Sequence, residues 1–183
     1  MSIAVPLAMV VRVLLAFVFL RAAWHKARSL PHFQAQMGAY QLLPAPVLPT
    51  VARLFLLLEI AVALTLPVWS WPAPPFIAGG LLAIYTGALV ISLLRGMENL
   101  DCGCGGESAQ AITWALVLRN GFLIALAIIA MLPTAQRDVS LLELATVVPA
   151  CIAVILVYCS VELAIANEQR QKRYLEMRRS TRA

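Results

Sequence analysis

Long uninterrupted runs of apolar residues constrain this chain more than any other feature of its sequence. Of its 183 residues, 62% are hydrophobic and 13% are charged, and the mean hydropathy is +0.86. A soluble domain of this length needs far more polar surface. The apolar residues neither alternate nor keep to one helix face, so lipid must solvate these segments on most sides. The sequence therefore predicts an all-α, polytopic integral membrane bundle.

Five apolar runs reach the roughly 20 residues that a helix needs to cross a bilayer. Prolines between the second and third runs predict a tight helical hairpin, and a short interfacial helix is expected over 31–43. The first run lacks a basic leader and a cleavage site, so it is expected to be a retained helix. A basic tail over 167–183 follows the transmembrane bundle 1–166, whose predicted spans are 5–24, 50–71, 74–94, 111–132 and 141–166.

The positive charges mark the ends of the apolar runs. Arg21, Lys26 and Arg28 follow the first run, Arg95 follows the third, and six Lys or Arg residues lie between 170 and 182. The positive-inside rule places these segments in the cytoplasm and the N-terminus in the periplasm, for a protein of the bacterial inner membrane. No polar stretch is long enough for a nucleic-acid-binding face, so the net charge of +5 indicates topology.

The connection between the third and fourth runs contains two cysteines, Cys102 and Cys104, in NLDCGCGGES. Thiols one residue apart predict a catalytic redox pair, because the small ring of a Cys-X-Cys disulfide is strained and therefore more oxidising than a structural bridge. The neighbouring glycines leave the sulfurs open to a partner's thiolate. The alternatives are half of a metal site without its other ligands, and a connection whose cysteines are incidental. No metal is expected.

Cys151 and Cys159 lie eight residues apart in the last run. Eight residues of helix rise about 12 Å, so these two thiols cannot bridge each other. They are expected to be small packing residues. The functional alternative is that one of them relays a disulfide from Cys102 and Cys104.

Ionisable residues inside apolar runs are costly and therefore informative. They are Arg12, Glu59 and Arg119, and Asn120 lies beside the last. At about 1.5 Å per residue, Glu59 and Arg119 each lie roughly 13 Å from the same membrane face. We expect a buried structural ion pair between them. The alternative is a proton path that serves thiol chemistry.

His25 and Lys26 close the first run at the membrane interface. A histidine there can hold a quinone headgroup or shuttle a proton, although a lone interfacial histidine beside a lysine is more often an anchor. We expect no bound cofactor, with quinone as the one alternative.

Three segments together resemble the MauE family of methylamine-utilisation proteins, over the chain up to about residue 132. They are AAWHKARSLPHFQAQMGAYQLLP, the glutamate of LFLLLEIAVAL, and the Cys-X-Cys connection that precedes a further span. The wider DoxX-like group shares the pattern of the first helix but usually lacks the cysteine pair. The matching positions are His25, Lys26, Phe33, Tyr40, Leu42, Leu43, Pro44, Glu59, Cys102 and Cys104.

The resemblance implies a role in processing, transport or maturation of the methylamine dehydrogenase small subunit. That subunit is a periplasmic protein that is rich in disulfides and carries a tryptophan-derived quinone. The implied partner is a thioredoxin-like periplasmic protein similar to MauD. Family members often carry an aromatic residue after the second cysteine, where this chain has Gly105, and this difference leaves the thiol pair less shielded.

The implied client and the charge distribution disagree about the side on which the cysteines work. The client is periplasmic, whereas the charges place Cys102 and Cys104 in the cytoplasm, where thiols are kept reduced. Three resolutions are open: the pair passes cytoplasmic electrons onward, the connection re-enters the bundle, or the orientation is reversed. Two other functions also remain, a non-catalytic membrane scaffold and a DoxX-like quinone-linked oxidoreductase subunit that uses His25.

Overall fold

The computed structural model describes residues 5–68, 71–96, 113–132 and 141–180, and the regular structure within these ranges is helical. Five of the helices contain a stretch that is long and apolar enough to cross a membrane, which confirms the predicted helical membrane bundle. A 3₁₀ turn, Ala45–Val47, precedes the third helix. The helices are α1 (Val5–Arg28), α2 (Leu30–Ala39), α3 (Leu48–Thr65), α4 (Ala73–Leu94), α5 (Trp114–Met131) and α6 (Leu141–Ser180).

Proline and glycine set several helix ends. Pro31, Pro49 and Pro74 occupy the second positions of α2, α3 and α4, where the missing N–H costs no helical hydrogen bond. α4 ends at Leu94. Two residues later, Gly96 has a φ of +71°, the left-handed conformation that glycine adopts without strain. The Gly96 N–H donates to the Leu93 carbonyl at 3.0 Å, which satisfies an orphan acceptor of the last turn.

An apolar core lies between α1, α3, α4 and α5. α4 and α5 pack against each other through small residues, Gly79 and Ala127. A Cβ added to Gly79 would lie 3.6 Å from the Ala127 Cβ. Lipid tails are as apolar as leucine, so such close packing supplies much of the energy that holds membrane helices together. The buried core residues include Val11, Leu15, Phe19, Val62, Ala63, Ala78, Leu81, Leu82, Leu123 and Ala130.

α1 is longer than the sequence indicated. It continues to Arg28, four residues past the predicted end at position 24, so Lys26 lies within the helix. After Ser29 the chain turns into α2, which packs against α3 and buries Phe33. The end of α1 is therefore covered by α2.

α6 is the most exposed of the five long helices. Only 6% of its most apolar window is buried, compared with 22% to 39% for the other four, and its main packing partner is α1. The helix continues to Ser180, so the last apolar run and much of the basic segment form one helix of 40 residues. Most of the apolar surface of α6 is left for lipid.

Candidate functional site

A buried cluster, here called the Lys26–Glu59 centre, joins three helices. It consists of Lys26 of α1, Glu59 of α3 and Tyr85 of α4. The Lys26 and Glu59 side chains form an ion pair and are 1% and 0% exposed. The Tyr85 hydroxyl donates to Glu59 Oε1 at 2.6 Å and accepts from Lys26 Nζ at 2.9 Å.

Aromatic rings complete the surroundings of the Lys26 ammonium. Nζ lies 4.7 Å from the centre of the Phe33 ring and 4.5 Å from that of Tyr85. Each such cation–π contact stabilises a desolvated cation by up to about 2 kcal/mol. Glu59 Oε2 is buried and accepts no hydrogen bond from the described residues. Because desolvation of two charges often outweighs their attraction, an ion pair at this depth indicates a functional site more than a stabilising device.

A second cluster, here called the Glu162 cluster, lies where α6 meets α1 and α5. Glu162 forms ion pairs with Arg119 and with Arg21, the latter at 3.1 Å, and accepts from the Tyr158 hydroxyl at 3.0 Å. Arg119 also donates to the side-chain carbonyl of Asn120 at 3.0 Å. The Glu162 side chain is 5% exposed, so a single buried carboxylate gathers two arginines from two helices.

A small cavity of about 40 Å³ lies between the two clusters, and its lining combines charged and tyrosine side chains with apolar ones such as Phe19 and Leu123. Glu59 and Tyr85 line it from one cluster, and Arg21, Arg119 and Tyr158 line it from the other. A water needs roughly 10–15 Å³ of such space and two to four polar partners, so the cavity has room for about three. The two clusters therefore border one polar interior.

The predicted Glu59–Arg119 pair is wrong. Glu59 is buried as expected, but it pairs with Lys26, and Arg119 pairs with Glu162. Residue counting gives a depth along each helix and leaves open which neighbour a side chain faces. The long Lys26 side chain also reaches back along α1 from the helix end to the depth of Glu59. Glu59 and Arg119 still line the same small cavity.

Two other predicted residues of α1 lie outside both clusters. Arg12 is buried, and its Nη2 donates to the Ala130 carbonyl of α5 at 3.3 Å. His25 is half-buried in the last turns of α1, one residue before Lys26. Of the two interfacial residues that the sequence singled out, Lys26 is the one that enters the polar interior.

The four cysteines divide into two groups. Cys151 and Cys159 are free, half-buried thiols on α6, which confirms that they do not bridge each other. Cys102 and Cys104 lie outside the described residues, so their pairing stays a prediction. Within 5–68, 71–96, 113–132 and 141–180, no three His, Cys, Asp or Glu side chains are close enough to hold a metal ion.

Three residues of the two clusters were not predicted from the sequence: Tyr85, Tyr158 and Glu162. Glu162 falls inside the predicted span 141–166, and a carboxylate there is the kind of signal that singled out Glu59. Tyr158 precedes it by one helical turn, which is the spacing for a side-chain contact. Tyr85 carried no comparable signal, because a tyrosine within an apolar run is ordinary in a membrane helix.

These features define a class: a polytopic helical membrane protein with a polar interior built from buried ion pairs. Residues 4–133 match the family described as Methylamine utilisation protein MauE. That match covers more than half of the 183 residues, and the chain belongs to the MauE family.

Three relatives carry the name Methylamine utilization protein MauE. The Paracoccus denitrificans protein is 37% identical over 156 residues, which cover 83% of each chain. The Paracoccus versutus protein is 34% identical over 129 residues, which cover 68% of this chain and 69% of the relative. The Methylophilus methylotrophus protein is 27% identical over 162 residues, or 86% and 85% of the two chains. No solved structure matches this chain.

Proposed function

We propose that this protein is an inner-membrane factor that matures the methylamine dehydrogenase small subunit by thiol–disulfide exchange. The observation that carries the proposal is the Cys102-Gly-Cys104 segment, which the sequence places between α4 and α5 of a MauE-family chain. The family supports a role in methylamine utilisation. The thiol pair supports the chemistry, since two thiols in one short segment can capture and then resolve a mixed disulfide.

The packing of α4 against α5 supports this role. Leu89 and Leu93, near the end of α4, pack with Leu116, near the start of α5. Residues 97–112 join these two helices, so the cysteine-bearing connection begins and ends on one packed helix pair. The packed pair thus fixes the positions of the two helix ends that the connection joins.

In the proposed reaction a thiolate of a reduced thioredoxin-like carrier attacks the Cys102–Cys104 disulfide, and a mixed disulfide forms. The second thiolate of the carrier breaks that mixed disulfide. The carrier is then oxidised, and Cys102 and Cys104 are both thiols. Two electrons and two protons have passed from the carrier to the pair, and the oxidised carrier transfers its disulfide to the small subunit.

The proposed orientation follows the positive charges, with a periplasmic N-terminus and a cytoplasmic tail. Labelling with a membrane-impermeant maleimide tests it, in a background where Cys151 and Cys159 are serine. Labelling of Cys102 and Cys104 only after lysis supports this orientation, and direct exchange with a periplasmic carrier then requires the connection to re-enter the bundle. Labelling in intact cells would show that the orientation is reversed and that a periplasmic carrier can reach the pair directly.

The cysteine requirement is tested in a host that lacks its own copy of the protein. We expect Cys102→Ser/Cys104→Ser to abolish correct disulfide formation in the small subunit. The matched control is Cys151→Ser/Cys159→Ser, which also removes two thiols and should support maturation normally. The measurement is the thiol content of the purified subunit by mass spectrometry. If the Cys102→Ser/Cys104→Ser variant matures the client as well as the wild type does, the protein is a scaffold and the exchange role is lost.

Trapping identifies the carrier. In Cys104→Ser the Cys102 thiolate can attack the disulfide of the oxidised carrier, which is the reverse of the exchange written above. The mixed disulfide then lacks the Cys104 thiol that would complete the reverse reaction, so the adduct should run as a reducible band on a non-reducing gel. The reverse variant, Cys102→Ser, tests whether Cys104 is the attacked sulfur instead. The mechanism is contradicted if neither variant gives an adduct in membranes where the wild type matures the client.

A further inference from the structure

A large apolar cavity of about 440 Å³ lies between α2, α3 and α4, separate from the small cavity between the two clusters. Its volume falls in the range of about 300–1,000 Å³ that is typical of small-molecule sites. Four aromatic side chains contribute to its walls, two from α2 and its end and one each from α3 and α4. The residues on which the argument rests are Phe33, Tyr40, Phe55, Tyr85, Gly87 and Ile91.

Tyr85 connects this apolar cavity to the polar interior. Its side chain lines both cavities, and its hydroxyl is hydrogen-bonded to Lys26 and Glu59. Its ring lies 5.3 Å from that of Phe55 across the α3–α4 interface. A molecule in the apolar cavity would therefore lie against aromatic rings, beside a tyrosine whose hydroxyl is hydrogen-bonded to a buried carboxylate and a buried ammonium.

The apolar cavity extends to the helix ends from which the cysteine connection starts. Ile91 of α4 lines it, and Tyr40, at the end of α2, lines it as well. The Tyr40 carbonyl accepts a hydrogen bond from the side chain of Arg95, the residue that follows the last residue of α4. Cys102 follows Gly96 by six residues, and a chain of six residues spans at most about 20 Å.

We propose that this cavity binds the ring of a membrane quinone, which takes electrons from the Cys102–Cys104 dithiol. The inference rests on the proposed exchange function, because that function leaves the pair reduced after each turnover. Oxidation of the two thiols forms one S–S bond and releases two electrons and two protons. The quinone takes up both electrons and both protons and becomes a quinol, so the step balances without another reactant.

The surroundings favour a quinone over a phospholipid chain. A flat ring fits between aromatic walls, and its carbonyl oxygens need a proton source when they are reduced. In the proposed step the Tyr85 hydroxyl is that source, and Lys26, whose ammonium donates to this hydroxyl, returns the proton to it.

Gly87 offers a way to fill the cavity without breaking the helix. It lines the cavity, and a Cβ built on it meets no other atom within 4 Å. Gly80 of the same helix is equally open and lies seven residues earlier, on nearly the same helix face and about 10 Å away. Gly87→Leu should therefore occupy the site, and Gly80→Leu is the matched control.

The test uses the full-length protein in nanodiscs that contain no quinone, with decylubiquinone as the probe in equilibrium dialysis. We expect Gly87→Leu to bind it at least about tenfold more weakly than the wild type, and Gly80→Leu to stay within about twofold. As a second measurement, a photoreactive azidoquinone should label peptides from Phe33–Tyr40 or Ile84–Ile91 in the wild type. Absence of quinone binding, equal affinity in the wild type and Gly87→Leu, or labelling confined to other helices each overturns the inference. So does purification of the protein with a phospholipid chain that quinone does not displace.

The cysteine variant separates this inference from the proposed function. Cys102→Ser/Cys104→Ser should bind decylubiquinone like the wild type but fail to reduce it, as followed by quinol absorbance with a reduced carrier. If the wild type exchanges disulfides with the carrier but binds no quinone, the cavity assignment fails and the exchange function stands. If quinone binds but the wild type neither exchanges with the carrier nor reduces the probe, electron transfer from the cysteine pair is refuted together with the exchange function.

Discussion

Removing one partner of the Lys26–Glu59 pair should cost far more stability than removing both. The three variants are Lys26→Met, Glu59→Leu and the double variant, each of which keeps a side chain of similar length or volume. In the wild type both side chains are almost fully buried, and the pair joins α1 to α3. A single substitution leaves the remaining charge buried without its counter-ion.

The expected magnitude follows from what the stranded group retains. Breaking a buried pair costs about 3–5 kcal/mol. Stranded Lys26 keeps the Tyr85 hydroxyl and two ring faces, which limits that cost. We therefore expect about 3–4 kcal/mol for each single variant and about 1 kcal/mol or less for the double variant.

The assay is thermal unfolding of the purified variants in one detergent. For a chain of this length 1 kcal/mol shifts the melting temperature by about 2–4 °C, so the single variants should melt about 6–16 °C below the wild type. The double variant should lie within about 4 °C of it. Leu57→Ala, at a 64% exposed position of α3, controls for truncation on the same helix. Losses that simply add in the double variant would show that the two side chains are energetically independent and would refute this account of the centre.

Three further variants test other contacts. Glu162→Gln removes the charge that holds two arginines, so it should lower the melting temperature of the bundle by about 6 °C or more in the same assay, and a melting temperature equal to that of the wild type would count against it. Tyr85→Phe keeps the ring but removes the hydrogen bonds of its hydroxyl to two charged groups, and a loss of at least about 1.5–3 kcal/mol by denaturant titration is expected. Gly79→Leu should destabilise by about 1–3 kcal/mol because Ala127 lies opposite, whereas Gly80→Leu should be close to neutral, and equal melting curves would contradict that difference.

The class of fold could be predicted because lipid leaves the backbone so few choices. A run of about 20 apolar residues in a bilayer must satisfy its own hydrogen bonds, and a helix does so within one segment. Which side chains of neighbouring helices meet was harder to predict from the sequence. Counting residues placed Glu59 and Arg119 at similar positions along their helices and therefore predicted that they pair. In the structure Glu59 pairs with Lys26 and Arg119 pairs with Glu162.

Two patterns concealed those counter-ions. Lys26 resembles an ordinary positive residue at a helix end, where topology alone explains it, until α1 is seen to continue to Arg28 beneath α2. Glu162 lies four residues before the predicted end of its span, where a carboxylate can also belong to the polar boundary of a membrane helix. The chemistry proposed for Cys102 and Cys104 could be inferred from sequence, because it depends on their spacing and requires no knowledge of the fold.

The Glu162 cluster explains how so exposed a helix as α6 keeps its place in the bundle. Only 6% of the apolar window of α6 is buried, and in lipid its apolar side chains gain little by leaving tails for another helix. The ion pairs differ in this respect, because Glu162 in hydrocarbon without Arg21 and Arg119 would be a bare charge. The same carboxylate contacts α1 through one arginine and α5 through the other, so a slip of α6 along the bundle breaks both pairs together. Polar contacts thus fix the register of α6, and its remaining surface is free to face lipid.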